Sequence, residues 1–238
     1  QENHLSQIRS AVGSAVSPTV IIENNTVIYR KYQAGDAYYF WLVNVHSFEE
    51  YQKGLDWFTY RGGISNTTAQ QEVINYFANR SIYNGSITTN VSVLVPTGMT
   101  AVDVLSGSTL SASWNGNWSM FDVTIPRLAG KLIALYPAAP DSVSINFSSI
   151  VSLGYQATLR TSVLDSAGNL IRAAFPLYVE IIDPAGRTHS YTRYTATNTT
   201  GSYDLPITIG ANDPTGSWTL RVTEISTNKQ NSVGFSVS

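Results

Sequence analysis

Turn chemistry returns at close intervals along the C-terminal part of this chain and leaves room only for short extended runs. "DSAGN" occupies 165–169, "DPAGR" 183–187, "NTTGS" 198–202 and "NDPTG" 212–216. Gly takes a left-handed backbone at no steric cost, Pro presets φ, and Asp or Asn hydrogen-bonds its own backbone two residues on. In "DPAG", Pro184 and Gly186 suit a type I turn. Between turns the pattern alternates: Trp218, Leu220 and Val222 fall on one face, Thr219, Arg221 and Thr223 on the other. About seven short strands at such spacing predict an immunoglobulin-like sandwich over 141–238.

A second β-domain is expected over 19–137. Gly85, Ile87, Thr89, Val91, Val93 and Val95 alternate with Asn84, Ser86, Thr88, Asn90 and Ser92, the pattern of a half-buried strand. "TVIIENNTVIYRKY" reads as a hairpin turning at 23–25, and "DAYYFWLVNVHS" as a buried strand with Trp41 in the core, as Trp218 is in the second domain. Asn115-Gly116 gives a hairpin signal flanked by Trp114 and Trp118. "KLIALYP" closes the domain, and Pro137 and Pro140 mark a linker. Residues 1–18 carry an apolar stripe (Leu5, Ile8, Val12, Val16) that predicts a short helix ended by Pro18. Over 47–79 the β pattern lapses into a partly helical insertion, and insertions of this length are often functional. The expected fold is all-β: two β-sandwich domains in tandem, the second immunoglobulin-like, with a short N-terminal helix and a partly helical insertion in the first.

Composition narrows the setting. The chain has no Cys, which removes disulfides, thiolate metal sites and Cys nucleophiles. Charged residues make up 13% and the net charge is −2, with Lys and Arg scattered singly, so a nucleic-acid face is not expected. No run approaches the roughly 18 apolar residues of a membrane span. Ser, Thr, Asn and Gly carry the surface instead, a profile that suits an extracellular or cell-surface protein. The chain opens on Gln1, which reads as a processed product or a piece of something longer. Eight Asn-X-Ser/Thr triplets are candidate glycosylation sites: Asn24, Asn66, Asn79, Asn84, Asn90, Asn117, Asn146 and Asn198. A chain rich in Asn, Ser and Thr also makes such triplets by chance.

"GYQATLRTSVLDSAGNLI", "PLYVEIIDPAGR" and "GSYDLPITIGANDPTGSWTLRVTEISTNKQNSVGFSVS" together resemble a macroglobulin-type, immunoglobulin-like domain of large secreted proteins. "GDAYYFWLVNV", "VDVLSG" and "IPRLAGKLIALYP" resemble a module at the C-terminal end of large bacterial glycoside-hydrolase-like polypeptides. The resemblance covers most of the chain, with 47–79 departing from it. In that family the catalytic carboxylates sit in an upstream barrel, so the resemblance implies accessory sandwiches and no hydrolase.

A search for chemistry agrees. No G-x-S-x-G elbow occurs. His4, His46 and His189 stand far apart, with His189 expected within a strand and no H-x-x-x-H spacing. "DSAGN" lacks the further oxygen ligands of a calcium loop. Glu49, Glu50, Asp56 and Glu72 lie in the insertion, but adjacent helical residues diverge by about 100°, so a solvated face is the preferred reading over a carboxylate pair. No catalytic residue, metal or cofactor is therefore expected. Tyr51, Trp57, Phe58, Tyr60, Trp114 and Trp118 are the ligand or interface candidates, since aromatic rings can cover a sandwich edge, meet another subunit or stack on sugar. The expected function is a non-catalytic extracellular structural or interaction protein serving a longer secreted polypeptide. The alternatives are a self-assembling subunit of a filament or surface layer, and a carbohydrate-binding module. Partners would be other copies of the chain or an upstream domain, with polysaccharide for the last reading.

Overall fold

The computed structural model describes residues 19–23, 27–44, 87–126 and 129–238, and every regular element among them is a strand. In chain order these are β1 (Val20–Ile22), β2 (Val27–Ala34), β3 (Ala37–Asn44), β4 (Ile87–Leu94), β5 (Thr100–Asp103) and β6 (Ser108–Leu110). Then come β7 (Ala112–Asn115), β8 (Trp118–Ile125), β9 (Gly130–Tyr136), β10 (Ser142–Asn146), β11 (Ile150–Val151) and β12 (Gln156–Leu164). β13 (Pro176–Ile182), β14 (Arg193–Ala196), β15 (Ser202–Thr208), β16 (Gly216–Glu224) and β17 (Lys229–Val237) complete the fold. The helix expected over 1–18 and the insertion over 47–79 lie outside the described residues.

The chain gathers into two compact units that interleave in sequence. In the first, β1, β4, β8 and β7 form one antiparallel sheet in that order. Its alternation follows the expectation: Thr89, Val91, Val93 and Val95 are buried, while Thr88, Asn90 and Ser92 stand on the other face. Phe121, Val123 and Ile125 of β8 are buried beside them. The expected β1–β2 hairpin does not form. β1 pairs with β4, setting Val20 against Val93 and Ile22 against Val91, while β2 joins a different sheet beside β3. Burying the branched residues of β1 against an apolar neighbour decides the pairing, and closeness in sequence does not.

The second unit holds three sheets, ordered β10-β12-β15, β11-β17-β16-β13-β14 and β2-β3-β9-β5-β6. The first two make the immunoglobulin-like sandwich, with β11 lying parallel to β17 and the other pairs antiparallel. Leu159 and Val163 meet Leu205, Ile207, Leu177, Val179, Ile181, Trp218, Leu220 and Val222 in its core. Trp218 is 1% exposed, as expected, and its indole Nε1 donates to the Pro214 carbonyl at 2.9 Å. Each such side chain contributes about 2 kcal/mol by removal from water. Ala37, Val102, Val104, Ala134 and Tyr136 of the third sheet and its hairpins belong to the same core. Trp41 departs from expectation: it is 40% exposed on β3, where Phe40 and Leu42 take the buried positions. The alternation of the strand sends 40 and 42 inward and 41 outward.

Three of the four sequence turns are one structure. Asp165 Oδ1 accepts from Ala167 and Asn169 N–H at 2.9 and 2.8 Å. Asp183 Oδ1 accepts from Ala185 and Arg187 N–H, both at 2.9 Å. Asn198 Oδ1 accepts from Thr200 and Ser202 N–H at 2.9 and 3.3 Å. Each turn then needs a left-handed residue at its fourth position, met by Gly168 (φ 79°), Gly186 (φ 77°) and Gly201 (φ 86°). Asp213 in the fourth segment does something else, reaching back to Gly210 N–H at 2.7 Å.

Gly168 and Gly201 separate conformation from space. A Cβ on Gly168 meets nothing within 4 Å, whereas one on Gly201 lies 1.9 Å from the Ile171 carbonyl oxygen. Gly168→Ala is expected to cost about 1 kcal/mol from backbone strain alone. Gly201→Ala should cost roughly 3 kcal/mol or more, because backbone must also move. Denaturant midpoints of the two variants check the order.

Candidate functional site

The described sequence candidates fall in both units. Trp114 and Trp118 lie at the β7–β8 hairpin, whose two-residue loop puts Gly116 at the first central position with φ 60°. Trp114 is 40% exposed and Trp118 half-buried. Asn90, Asn117, Asn146 and Asn198 are scattered over both units, and Asn117, Asn146 and Asn198 are exposed. Tyr51, Trp57, Phe58 and Tyr60, with Asn24, Asn66, Asn79 and Asn84, lie outside the described residues.

A surface feature that sequence reading missed is the solvent face of the sheet β11-β17-β16-β13-β14. Tyr178 and Tyr194 sit opposite each other on β13 and β14, ring centroids 4.7 Å apart, and Tyr194 is 76% exposed. In the next row Arg221 donates to Glu180 at 3.0 Å. Beyond it Arg221, Gln230, Asn231 and Ser232 line an open depression of about 440 Å³. The signal lay in "PLYVEII", where Tyr178 and Glu180 occupy the outward positions of the alternation.

The buried carboxylates of this unit are engaged by the fold, while Asp36, Asp141 and Asp204 stay exposed in surface ion pairs. Glu224 is fully buried, and Ser226 and Thr227 satisfy it through backbone N–H groups at 2.7 and 2.9 Å and through both hydroxyls. Tyr136 donates to Ser226 Oγ at 2.9 Å, and Tyr39 beside it donates to the Ala174 carbonyl. Asp103 is 4% exposed at the β5–β6 turn. Burial works to raise its carboxyl, but Lys131 and Ser106 hydrogen bonds and the Lys131 charge hold it below the ordinary 3.8. Its contribution to stability is present above that ordinary value and is lost as pH falls through the lowered one. His189 lies in the loop after β13, not within a strand. It packs against Tyr191 and Trp218 and lies 3.5 Å from Asp213, which also accepts from Tyr191 at 2.9 Å. Burial, then the Asp213 contact, pushes the Tyr191 phenol up. Among the described residues no three His, Cys, Asp or Glu group as metal ligands, and no helix is long and apolar enough to cross a membrane.

No protein-family model matches the chain, and no curated protein matches it. Among solved structures it is similar to a glycosyl hydrolase family 2 member from Bacteroides cellulosilyticus: 13% identity, 66% of this chain, 23% of that one, TM-score 0.31. The CARDB domain of a Pyrococcus furiosus protein, solved with di-metal ions, matches 42% of this chain and 89% of its own at 14% identity and TM-score 0.29. The superoxide reductase of Ignicoccus hospitalis matches 42% and 82% at 8% identity and TM-score 0.30. At these values the likeness assigns neither a family nor an activity. The sheets themselves define the class: an all-β protein built on β-sandwich architecture.

The buried phenols set an alkaline limit. Burial, chiefly, pushes Tyr39 up to about 12 and Tyr136 well above 10.0, with the Glu224 charge adding to both. Raised values mean that their contribution is complete below the ordinary 10.0 and is lost as pH rises through the raised ones. Thermal unfolding midpoints should therefore fall steeply above about pH 10, and Tyr39→Phe and Tyr136→Phe should blunt that fall. Melting curves from neutral pH to about 12 check this.

Proposed function

We propose that this chain is a non-catalytic, extracellular structural and interaction protein, glycosylated on its surface, that supplies accessory or assembly modules to a larger secreted or cell-surface structure. The observation that carries the reading is where its large apolar side chains remain in water. β2 is an eight-residue strand at one end of its sheet among the described residues, and Tyr29 and Tyr32 on it are 42% and 60% exposed. Exposed apolar groups on a strand with an open side are contact surfaces in waiting. The engagement of Glu224, Asp103, Asp165 and Asp183 in turns and hairpins supports a scaffold over a catalyst. Self-assembly into a filament or surface layer is the form we favour: a contact between unlike faces repeats into an open array unless its rotation closes a ring. The sequence resemblance to accessory regions of glycoside-hydrolase-like proteins supports the companion form, a docking module of such a polypeptide.

A carbohydrate-binding module is the second reading, favoured by the exposed rings of Tyr194 and Trp114. Native mass separates the two. Light scattering and negative-stain images of material purified from its source should show a regular particle several times the 26.0 kDa chain. Tyr32→Lys should reduce it to single chains. A particle at the chain's own mass plus sugar overturns self-assembly. Retention on insoluble polysaccharide, lost in Tyr194→Ala or Trp114→Ala, would then establish the second reading.

A further inference from the structure

We infer that Asn198 is the N-glycosylation acceptor of the folded immunoglobulin-like sandwich, and that Asn90, Asn117 and Asn146 are not acceptors once the chain has folded. The inference rests on the extracellular reading only in requiring that the chain meet a glycosylating enzyme. A transferase that reads Asn-X-Ser/Thr must reach the Asn amide nitrogen and the hydroxyl two residues on, with the tripeptide backbone free to enter its cleft. The four described triplets differ in those three respects.

At Asn117 the second hydroxyl belongs to Ser119, which is 0% exposed with its Oγ buried and unbonded among the described residues. At Asn146 it belongs to Ser148, which donates to the Ile150 carbonyl at 2.6 Å. The intervening Phe147 packs on the core and against Phe235, ring centroids 5.0 Å apart. At Asn90 the tripeptide lies in β4 with β1 paired on one side and β8 on the other, and the amide Nδ2 donates to Asp122 at 3.1 Å. Asn90 and Ser119 would have to be pulled out of the fold, and at Asn146 the exposed Ser148 would have to release Ile150 and Phe147 its place against Phe235.

Asn198-Thr199-Thr200 lies outside any strand, and its hydrogen bonds are local to its own turn: Asn198 N–H donates to the Ser202 carbonyl at 2.8 Å, and the Asn198 carbonyl accepts from Gly201 N–H at 3.0 Å. All three residues are exposed in the loop between β14 and β15. Thr200 Oγ1 donates to Asn198 Oδ1 at 2.6 Å, so the two recognised groups already face each other. The side-chain oxygen is held by Thr200 N–H as well, and Nδ2 makes no hydrogen bond among the described residues. The donor is a sugar activated on a polyprenyl pyrophosphate. Nδ2 forms a bond to the anomeric carbon, and the bond from that carbon to the phosphate oxygen breaks. Its electron pair leaves with the pyrophosphate, and one amide proton passes to a base of the transferase.

The test gives the purified, folded full chain to an oligosaccharyltransferase with its lipid-linked oligosaccharide and maps glycopeptides by mass spectrometry. Occupancy at Asn198 should exceed that at Asn90, Asn117 and Asn146 by about tenfold, and the urea-unfolded chain should lose this preference. Thr200→Val should abolish transfer at Asn198, while Thr200→Ser, matched to wild type in its melting curve, should retain it. Comparable occupancy at Asn117 or Asn146 in the folded chain overturns the inference. So does an unmodified Asn198 whose peptide accepts sugar when unfolded. Sugar-free chain from the natural source would instead overturn the proposed glycoprotein, leaving the site preference to the purified reaction.

Discussion

A fully buried carboxylate governs the second unit. Taking Glu224 out of water costs several kcal/mol unless its lone pairs are met. They are met by four donors from the two residues Ser226 and Thr227, which dictates the path of the chain after β16 and places Asn228 in a left-handed conformation at φ 57°. Ser226 then has a lone pair to offer, and the Tyr136 phenol from β9 donates to it. Tyr136 also packs on Phe175 of the sandwich, ring centroids 4.5 Å apart. One buried side chain thus orders a loop, and the loop positions the five-stranded sheet of β9 against the core. Packing alone would hold the two together but would fix their register less firmly, since apolar contacts are not directional.

The same economy of polar groups explains the repeated turns. Asp165 and Asp183 use both carboxylate oxygens: one caps two N–H groups, and the other takes Asn169 Nδ2 or Arg187 Nε. Asn198 performs the capping with its one oxygen, and the geometry leaves its nitrogen unengaged. Substituting an amide for a carboxylate keeps the turn and changes only what projects into water. A turn that needs an acceptor at this position is served by either residue.

Much of this architecture was legible in the sequence because its causes are local. Alternation sorts Thr89, Val91 and Val93 from Asn90 and Ser92, and it sorts Trp218 and Leu220 from Thr219 and Arg221, since strand geometry acts residue by residue. The three Asx-x-x-Gly turns are equally local. What escaped is what depends on distant partners. β1 and β2 have the composition of a hairpin, yet β1 finds β4 across some seventy intervening positions, a choice made by apolar burial. Trp41 reads as core by residue type, and only the strand's phase places it outside. Glu224 could have been caught: it occupies the inward position after 218, 220 and 222, with hydroxyl residues at 226 and 227 ready to satisfy it. The Tyr178–Tyr194 face was half legible: the alternation of "PLYVEII" sends Tyr178 outward, but the pairing of β13 with β14 is what brings Tyr194 against it.

The surface that remains after these internal needs are met is what the protein can use. Buried acids are spent on turns and hairpins, and buried phenols are spent on joining sheets. The groups left in solvent are neutral amides, hydroxyls and aromatic rings with little charge among them, and such a surface resists neither stacking nor strand addition by repulsion. A bulky neutral sugar at an exposed turn would restrict contact near that turn without altering the sheets. Tyr32 on its strand and Tyr194 on its sheet face would stay free where no acceptor lies beside them. On the proposed reading, a sugar at the Asn198 turn would leave the β2 strand and the Tyr178–Tyr194 face as the surfaces on which partners could meet the chain.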